Sequence, residues 1–139
     1  MTQDSAMRTP IELTHRALGF LNSRDFDAVT GLLSPTCVCD MSRLGLDVYT
    51  GVESIREFID DWLGTLYEYA VVVDEIEDLG NGVVRVEEVA HRARTPYGFA
   101  EASSSLVGVW DSDVLARVTL YTEPDEARSA AERLARERG

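Results

Sequence analysis

The chain has 139 residues, 45% apolar and 27% charged, with a formal net charge of −12, so it can bury a core without disulfides or a structural metal. The excess of acidic side chains repels phosphate backbones and anionic lipids, which argues against nucleic acid and membrane surfaces as partners. Residues 1–10 lack the pattern of a secretory signal, and no apolar run approaches the roughly 20 residues of a membrane span, so we expect a cytoplasmic protein.

Three helices are predicted in the first half of the chain. Thr9 and Glu12 form a capping box that opens the first helix, with proline at its first position. Residues 25–33 form a short second helix that ends before Ser34-Pro35. A second capping box in residues 50–53 opens a third helix, whose apolar side chains recur at helical spacing: Ile55, Phe58, Ile59, Trp62 and Leu63.

Strands dominate the second half. One short strand is predicted earlier, between the second and third helices, at residues 36–41, followed by a loop at 42–49. Four long strands then form a meander, with turn residues between them: 69–76, 83–93, 99–110 and 114–122. A charged helix begins at Pro124 and ends near Arg138.

This order of elements predicts an α+β fold, in which helices close a strongly curved antiparallel sheet around one apolar pocket. We expect a flexible N-terminus at residues 1–9, one domain at 10–123 and a charged helix or tail at 124–139.

The cysteines and histidines do not indicate a metal or redox site. Cys37 and Cys39 are two residues apart on a predicted strand, so they share a face, and a disulfide between them would be strained. The only histidines, His15 and His91, fit no zinc-binding spacing. We expect reduced thiols, no metal and no cofactor.

Several runs of sequence resemble one known family. Residues 32–43, 49–58 and 115–121, together with the order of elements, are similar to the SnoaL-like branch of the nuclear transport factor 2-like superfamily. The resemblance covers about residues 10–134. It implies a cone, in which the sheet wraps around three N-terminal helices with a pocket at its open end, and a homodimer formed through the outer face of the sheet. This fold carries isomerases, cyclases, hydrolases, dehydratases and non-enzymatic binders, so the resemblance does not determine the activity.

The catalytic groups of the family's steroid isomerases do not carry over. Matching the helix and strand signatures places their tyrosine at Ala17, their aspartate base at Met41 and their carboxylic acid within residues 104–108. None of these positions holds an ionisable group, so enolising proton transfer is not expected here.

The same matching implies which side chains face the pocket. Phe58 and Trp62 would form its roof, and alternate strand residues would form its walls; a shift of one residue would reverse each strand's assignment. The residues predicted to bind a ligand are Cys39, Met41, Phe58, Trp62, Val86, Arg92, Val118 and Leu120.

Three residues are candidates for catalysis. Glu88 would face the apolar pocket, where loss of solvent raises a carboxyl pKa, or it would form an ion pair with Arg92 at the rim. His91 would lie on the outer face or at a dimer interface, or act as a neutral imidazole. Asp40 would pair with Arg43 to hold the following loop, or act at the pocket mouth.

Three functions are consistent with these features. The first is a binding pocket for a small apolar molecule, with little or no catalysis. The second is an isomerase, cyclase or hydrolase that uses Glu88 with Arg92 or His91. The third is a dimeric interaction module whose outer sheet face carries Arg85, Glu87 and His91.

Overall fold

The structure is a computed structural model that describes residues 8–63, 68–73, 75–95 and 97–139. Within these ranges, the side chains of residues 63, 68, 69, 88–91, 93, 95 and 99–102 lie outside the description.

The chain is α+β, as the order of elements predicts. Its helices are α1 (Pro10–Asn22), α2 (Phe26–Gly31), α3 (Val52–Leu63) and α4 (Pro124–Arg138). Its strands are β1 (Leu33–Asp40), β2 (Val48–Thr50), β3 (Glu68–Val72), β4 (Glu75–Gly80), β5 (Val83–Thr95), β6 (Gly98–Asp111) and β7 (Val114–Tyr121), with a 3₁₀ turn at Ser42–Leu44. No helix in the described part of the chain is long and apolar enough to cross a membrane.

Strand β1 begins at Leu33, three residues before the predicted start at residue 36 and inside the range expected for the second helix. Two other strand boundaries also differ from the predicted ones. The expected strand 69–76 is two strands, because β3 pairs with the second half of β5 and β4 pairs with its first half. The expected loop 42–49 ends in β2, which pairs with β1 near Asp40. Both differences arise from pairing with distant segments, which local residue patterns do not encode.

All seven strands in the described part of the chain belong to one curved sheet. Its main order is β2-β1-β7-β6-β5-β3, with β4 also paired to β5. The β1–β7 pair is parallel and the other pairs are antiparallel. Between Val86 and Val89 the pairing of β5 with β6 shifts by a residue, close to where β5 changes its edge partner from β4 to β3. Such a bulge bends a strand and increases its twist, which helps to curve the sheet.

Helix α1 is capped at one end and anchored to the sheet at the other. The Glu12 amide donates to Thr9 Oγ1 at 3.1 Å and the Thr9 amide donates to Glu12 Oε1 at 3.0 Å, so the predicted capping box is correct. At the other end, Asn22 accepts from the Val71 amide at 2.7 Å and donates to the Val71 carbonyl at 3.0 Å. This side-chain amide acts as a strand partner for β3 and holds α1 on the concave face of the sheet.

Helix α4 packs on the convex face of the sheet. Four alanines at helical spacing are buried there against Val83, Val107, Val109 and Tyr121: Ala127, Ala130, Ala131 and Ala135. Small side chains allow the helix axis to approach the strands closely. The charged residues of α4 therefore cover only its solvent side, and its apolar stripe belongs to the core.

A buried arginine lies on the convex face, beside the apolar contacts of α4. The Arg85 side chain is 1% exposed, and its Nε and Nη2 donate to Glu77 Oε1 at 3.0 and 2.8 Å. Its Nη1 lies 3.3 Å from Glu87 Oε1. The two carboxylates thus compensate a cation that would otherwise be costly to bury.

The end of α4 is fixed to the turn between β4 and β5. Asn81 donates to the Ala135 carbonyl at 2.6 Å, and Arg138 Nε donates to the Asn81 carbonyl at 2.8 Å. The next residue, Gly82, has a φ of +84°, and a Cβ there would collide with the Trp110 carbonyl oxygen. Glycine is required at this turn for both reasons.

The close contact between α4 and the sheet predicts the effect of a larger side chain at its centre. Ala131→Leu should lower the free energy of unfolding by about 1–3 kcal/mol, because a fully buried alanine leaves no room for the added carbons. Urea unfolding followed by circular dichroism measures this. Ser129→Leu, which adds the same side chain on the exposed side of α4, is the matched control. Equal stability of the two variants would contradict close packing at Ala131.

Candidate functional site

A cavity of about 180 Å³ lies between helices α1–α3 and the concave face of the sheet. Its lining comes from three helices and five strands, and none of the described lining residues is charged. These residues are Thr14, Ala17, Leu18, Leu21, Val29, Leu33, Cys37, Cys39, Met41, Ile55, Phe58, Ile59, Trp62, Val71, Val84, Val86, Leu106, Gly108, Trp110, Leu115, Val118 and Leu120.

The polar groups of Thr14 and Trp110 bond to each other and to the backbone. The Trp110 Nε1–H donates to Thr14 Oγ1 at 3.1 Å, and the Thr14 hydroxyl donates to the Pro10 carbonyl at 2.7 Å. Both residues are buried: Trp110 is 4% exposed and Thr14 is 8% exposed. They therefore satisfy their hydrogen bonds within the protein and present apolar surface to the cavity.

Three sulfur-containing side chains line the cavity along β1. Cys37, Cys39 and Met41 occupy alternate positions of the chain, so they share the concave face. Burial raises the pKa of the Cys37 thiol to about 11 and that of Cys39 to about 12. Both thiols are therefore neutral near pH 7 and act as apolar wall.

Aromatic rings form the wall toward the outside. Tyr49 stacks on Phe58 with ring centroids 4.5 Å apart, and Phe58 stacks on Trp62 at 5.5 Å. Phe58 and Trp62 line the cavity on one side and an outer groove on the other. The predicted position of these two rings at the pocket agrees with the structure.

Seven of the eight side chains predicted to bind a ligand line the cavity; the exception is Arg92, which is exposed and is not among the described lining residues. The predicted inward position of Arg92 is therefore wrong. Val86 pairs with Leu106 but Val89 pairs with Ser104, so three steps along β5 match two along β6. This extra residue reverses the alternation of side chains beyond Val86.

A similar irregularity occurs in β7. Val109 pairs with Arg117 but Trp110 pairs with Leu115, so Ala116 is the extra residue. Leu115 therefore lines the cavity and Ala116 does not, although Ala116 would alternate in step with Val118 and Leu120 in a regular strand.

Glu88 and His91, two of the catalytic candidates, lie in β5. Glu88 falls within the bulge, and His91 pairs with Val71 and Ala102 across the sheet. Their side chains lie outside the described part of the structure. Their proposed catalytic roles therefore stay predictions.

Asp40, the third candidate, points away from the cavity and is held by its neighbours. Its Oδ1 accepts from the Ser42 amide at 3.0 Å and from the Ser42 hydroxyl at 2.6 Å, and its Oδ2 accepts from Arg117 at 3.3 Å. The Ser42 hydrogen bonds, with help from the charges of Arg117 and Arg43, lower the pKa of Asp40. These contacts favour a structural role for Asp40.

Arg43 connects this carboxylate to the end of the sheet and to α4. Its Nη1 lies 3.8 Å from Asp40 Oδ2, which is the predicted pair. Its Nε donates to Glu126 at 3.2 Å, and its guanidinium lies 4.5 Å from the centre of the Tyr121 ring. The predicted function of the pair, holding the loop after β1, agrees with these contacts.

The positions that match the steroid isomerase residues do face the cavity. Ala17 and Met41 line it, as do Leu106 and Gly108 from the stretch that would carry the acid. These side chains offer neither a base nor a hydrogen-bond donor for an oxyanion. Among the described residues, no group of three His, Cys, Asp or Glu side chains is placed to hold a metal ion.

Sequence reasoning did not identify two parts of the site. The sequence pattern predicts a strand at Trp110 but not its place in the cavity wall, although Trp110 alternates in step with Leu106 and Gly108. The outer groove was also missed. Its carboxylates, Glu57 and Asp61, are four residues apart, and this spacing on a predicted helix was the available signal.

Solved structures with the same fold support the description of a cone. No protein-family model and no curated protein sequence matches the chain. An NTF2-like protein of unknown function from Burkholderia pseudomallei superposes with a TM-score of 0.71 at 17% identity, over 86% of this chain and 95% of that one. A proposed SnoaL-like polyketide cyclase from Shewanella denitrificans gives 0.70 at 12%, over 90% and 97%.

A third similar structure contains a ligand. RV0760c from Mycobacterium tuberculosis, in complex with estradiol-17beta-hemisuccinate, superposes with a TM-score of 0.72 at 12% identity, over 85% of this chain and 97% of that one. Identities this low establish the fold alone. The chain thus has the cone fold of these NTF2-like and SnoaL-like structures, as the resemblance of its sequence to that family predicts.

The raised pKa values of the two thiols predict their reactivity. Cys37 and Cys39 of the native protein should react with a disulfide reagent at pH 8 at least about 100 times more slowly than in urea, because burial suppresses both ionisation and access. Thiol release followed by absorbance measures both rates. Similar rates for the native and unfolded protein would show that the β1 side of the cavity is open to the reagent.

The Asp40–Ser42 contact predicts a pH-dependent loss of stability. Ser42→Ala should lower the free energy of unfolding by about 1–2 kcal/mol at pH 7. Because the folded-state pKa of Asp40 is lowered, this contribution is present above the ordinary aspartate pKa and is lost as pH falls through the folded-state value. Urea unfolding at pH 7 and at the lowest pH that preserves the fold tests this.

Ser129→Ala, on the exposed side of α4, is the control for that experiment, and its small effect should be the same at both pH values. A loss in Ser42→Ala that persists undiminished at low pH would show that the hydroxyl stabilises something other than the Asp40 carboxylate.

Proposed function

We propose that this protein binds a small apolar molecule in the cavity between α1–α3 and the sheet. The observation that carries the proposal is the lining: none of its described side chains is charged, its thiols are neutral, and the hydroxyl of Thr14 and the indole of Trp110 are already bonded. Such a surface favours apolar contact over polar recognition, as expected for a site that holds a hydrophobic ligand.

The volume of the cavity limits the ligand. A cavity of about 150 Å³ holds a molecule the size of benzene, so about 180 Å³ accommodates one substituted ring or a short branched chain. A larger ligand would have to displace Phe58 and Trp62 or extend past them. The estradiol ester bound to RV0760c supports ligand binding by this fold, although the present cavity is smaller than a steroid.

Binding without catalysis fits the described site better than an isomerase, cyclase or hydrolase. Of the three catalytic candidates, Glu88 and His91 are left to supply an acid or base, because Asp40 is bonded to Ser42 and Arg117 outside the cavity. Proton transfer by Glu88 or His91 remains the alternative hypothesis.

The homodimer implied by the family resemblance also remains a hypothesis. The apolar stripe of α4 occupies the convex face over Val83, Val107 and Val109. While α4 is docked, a dimer through this face would have to use the strands beside the helix or the outer surface of α4 itself.

Filling the cavity should weaken ligand binding. In Ala17→Leu the larger side chain extends from α1 into the cavity, so the affinity for a single-ring apolar compound should fall at least about tenfold while the fold is retained. The experiment is a thermal-shift screen of single-ring terpenoids and substituted benzenes, followed by calorimetric titration of the compounds that bind.

Gly19→Leu adds the same side chain to the same helix at an exposed position outside the cavity, so it should bind like the parent protein. If no compound in the screen binds the parent protein, or if Ala17→Leu binds as tightly as Gly19→Leu, the cavity is not the binding site.

A further inference from the structure

The outer groove lies beyond the aromatic wall of the inner cavity. It has a volume of about 370 Å³ and is lined by Tyr49, Ser54, Glu57, Phe58, Asp61 and Trp62. Phe58 and Trp62 belong to both linings, and Trp62 is 37% exposed. A ligand that extends from the inner cavity past these two rings therefore enters the outer groove.

The two compartments differ in polarity. The described lining of the inner cavity holds no charge, whereas α3 places Ser54, Glu57 and Asp61 along the groove at helical spacing. No described residue forms an ion pair with Glu57 or Asp61. The nearby Asp60, by contrast, accepts from Arg56 Nε at 3.0 Å. The groove thus presents two carboxylates whose charge is not compensated by a described cation.

Aromatic faces add to this preference for positive charge. Tyr49, Phe58 and Trp62 form a continuous stack beside the carboxylates. The faces of such rings attract ammonium groups through their quadrupoles, with indole the strongest. The formal net charge of −12 also raises the local concentration of cations and lowers that of anions.

We propose that the ligand is a cationic amphiphile: an amine with an apolar body of about one ring. The apolar body fills the inner cavity, and the ammonium group lies in the outer groove near Glu57, Asp61 and the aromatic stack. This inference rests on the proposed function, the binding of a small apolar molecule, and specifies that the ligand also carries a positive charge. An anion with the same body would place its carboxylate beside two like charges and bind more weakly.

Three probes with one apolar body and different head groups test the proposal. They are 4-phenylbutylamine, 4-phenylbutan-1-ol and 4-phenylbutanoate, which at pH 7 are cationic, neutral and anionic. Calorimetric titration at low ionic strength should give the tightest binding for the amine, about tenfold tighter than for the acid, as expected for two partly exposed charge interactions that change sign. The ratio should shrink as salt is added, because these charges are screened.

Two variants with the same change in net charge separate the groove from the general field of the protein. Glu57→Gln/Asp61→Asn should reduce the ratio of amine to acid affinity to about one. Glu53→Gln/Glu132→Gln removes two charges from exposed positions outside both linings, so it should keep most of the ratio.

The outcomes distinguish this inference from the proposed function. If none of the three probes binds, the proposed function fails with it. If all three bind with equal affinity, or the acid binds most tightly, the cavity binds ligands but the inference about charge is wrong. If the control variant loses the ratio as completely as the groove variant does, net charge and not the groove sets the preference, which also overturns the inference.

Discussion

The rest of the structure depends on one constraint: a curved seven-stranded sheet has two apolar faces, and both must be covered. Strand β5 is central to this arrangement, because it pairs with β6 along its length and with β4 and then β3 on its other side. Its bulge after Val86 lies near this exchange of partners and bends the sheet. Because the sheet is curved, one face is convex and the other concave. Helix α4 covers the convex face, and helices α1–α3 cover the concave face.

The convex face is covered tightly and the concave face is not. Alanines of α4 contact valines of β5 and β6 at close range, so little space remains between helix and sheet. On the concave side, the sheet curves around three helices, and a cavity of about 180 Å³ is left at the centre. An unfilled space of this size costs on the order of a few kcal/mol in lost contacts, which a bound apolar molecule would recover. The void is therefore the feature of the core that most needs a functional explanation.

Charged side chains follow the same division. Arg85 and its carboxylate partners lie on the convex side, Asp40 and Arg43 tie the loop after β1 to α4, and the described lining of the cavity has no charge. Beyond Phe58 and Trp62, the outer groove carries the carboxylates of Glu57 and Asp61. The aromatic wall thus separates an apolar compartment from an acidic one.

Local patterns in the sequence determined the helices, the capping box at Thr9 and the α+β class, because caps and side-chain periodicity act within a few residues. The family resemblance, and not a local pattern, indicated that Cys39 and Met41 face the pocket. Only the tertiary structure decided where the strand alternation breaks. A bulge depends on pairing with a distant strand, and this moved Arg92 out of the predicted pocket. The docking of α4 and the space left between Trp110 and the aromatic wall likewise depend on how the two faces of the sheet curve, which no local pattern specifies.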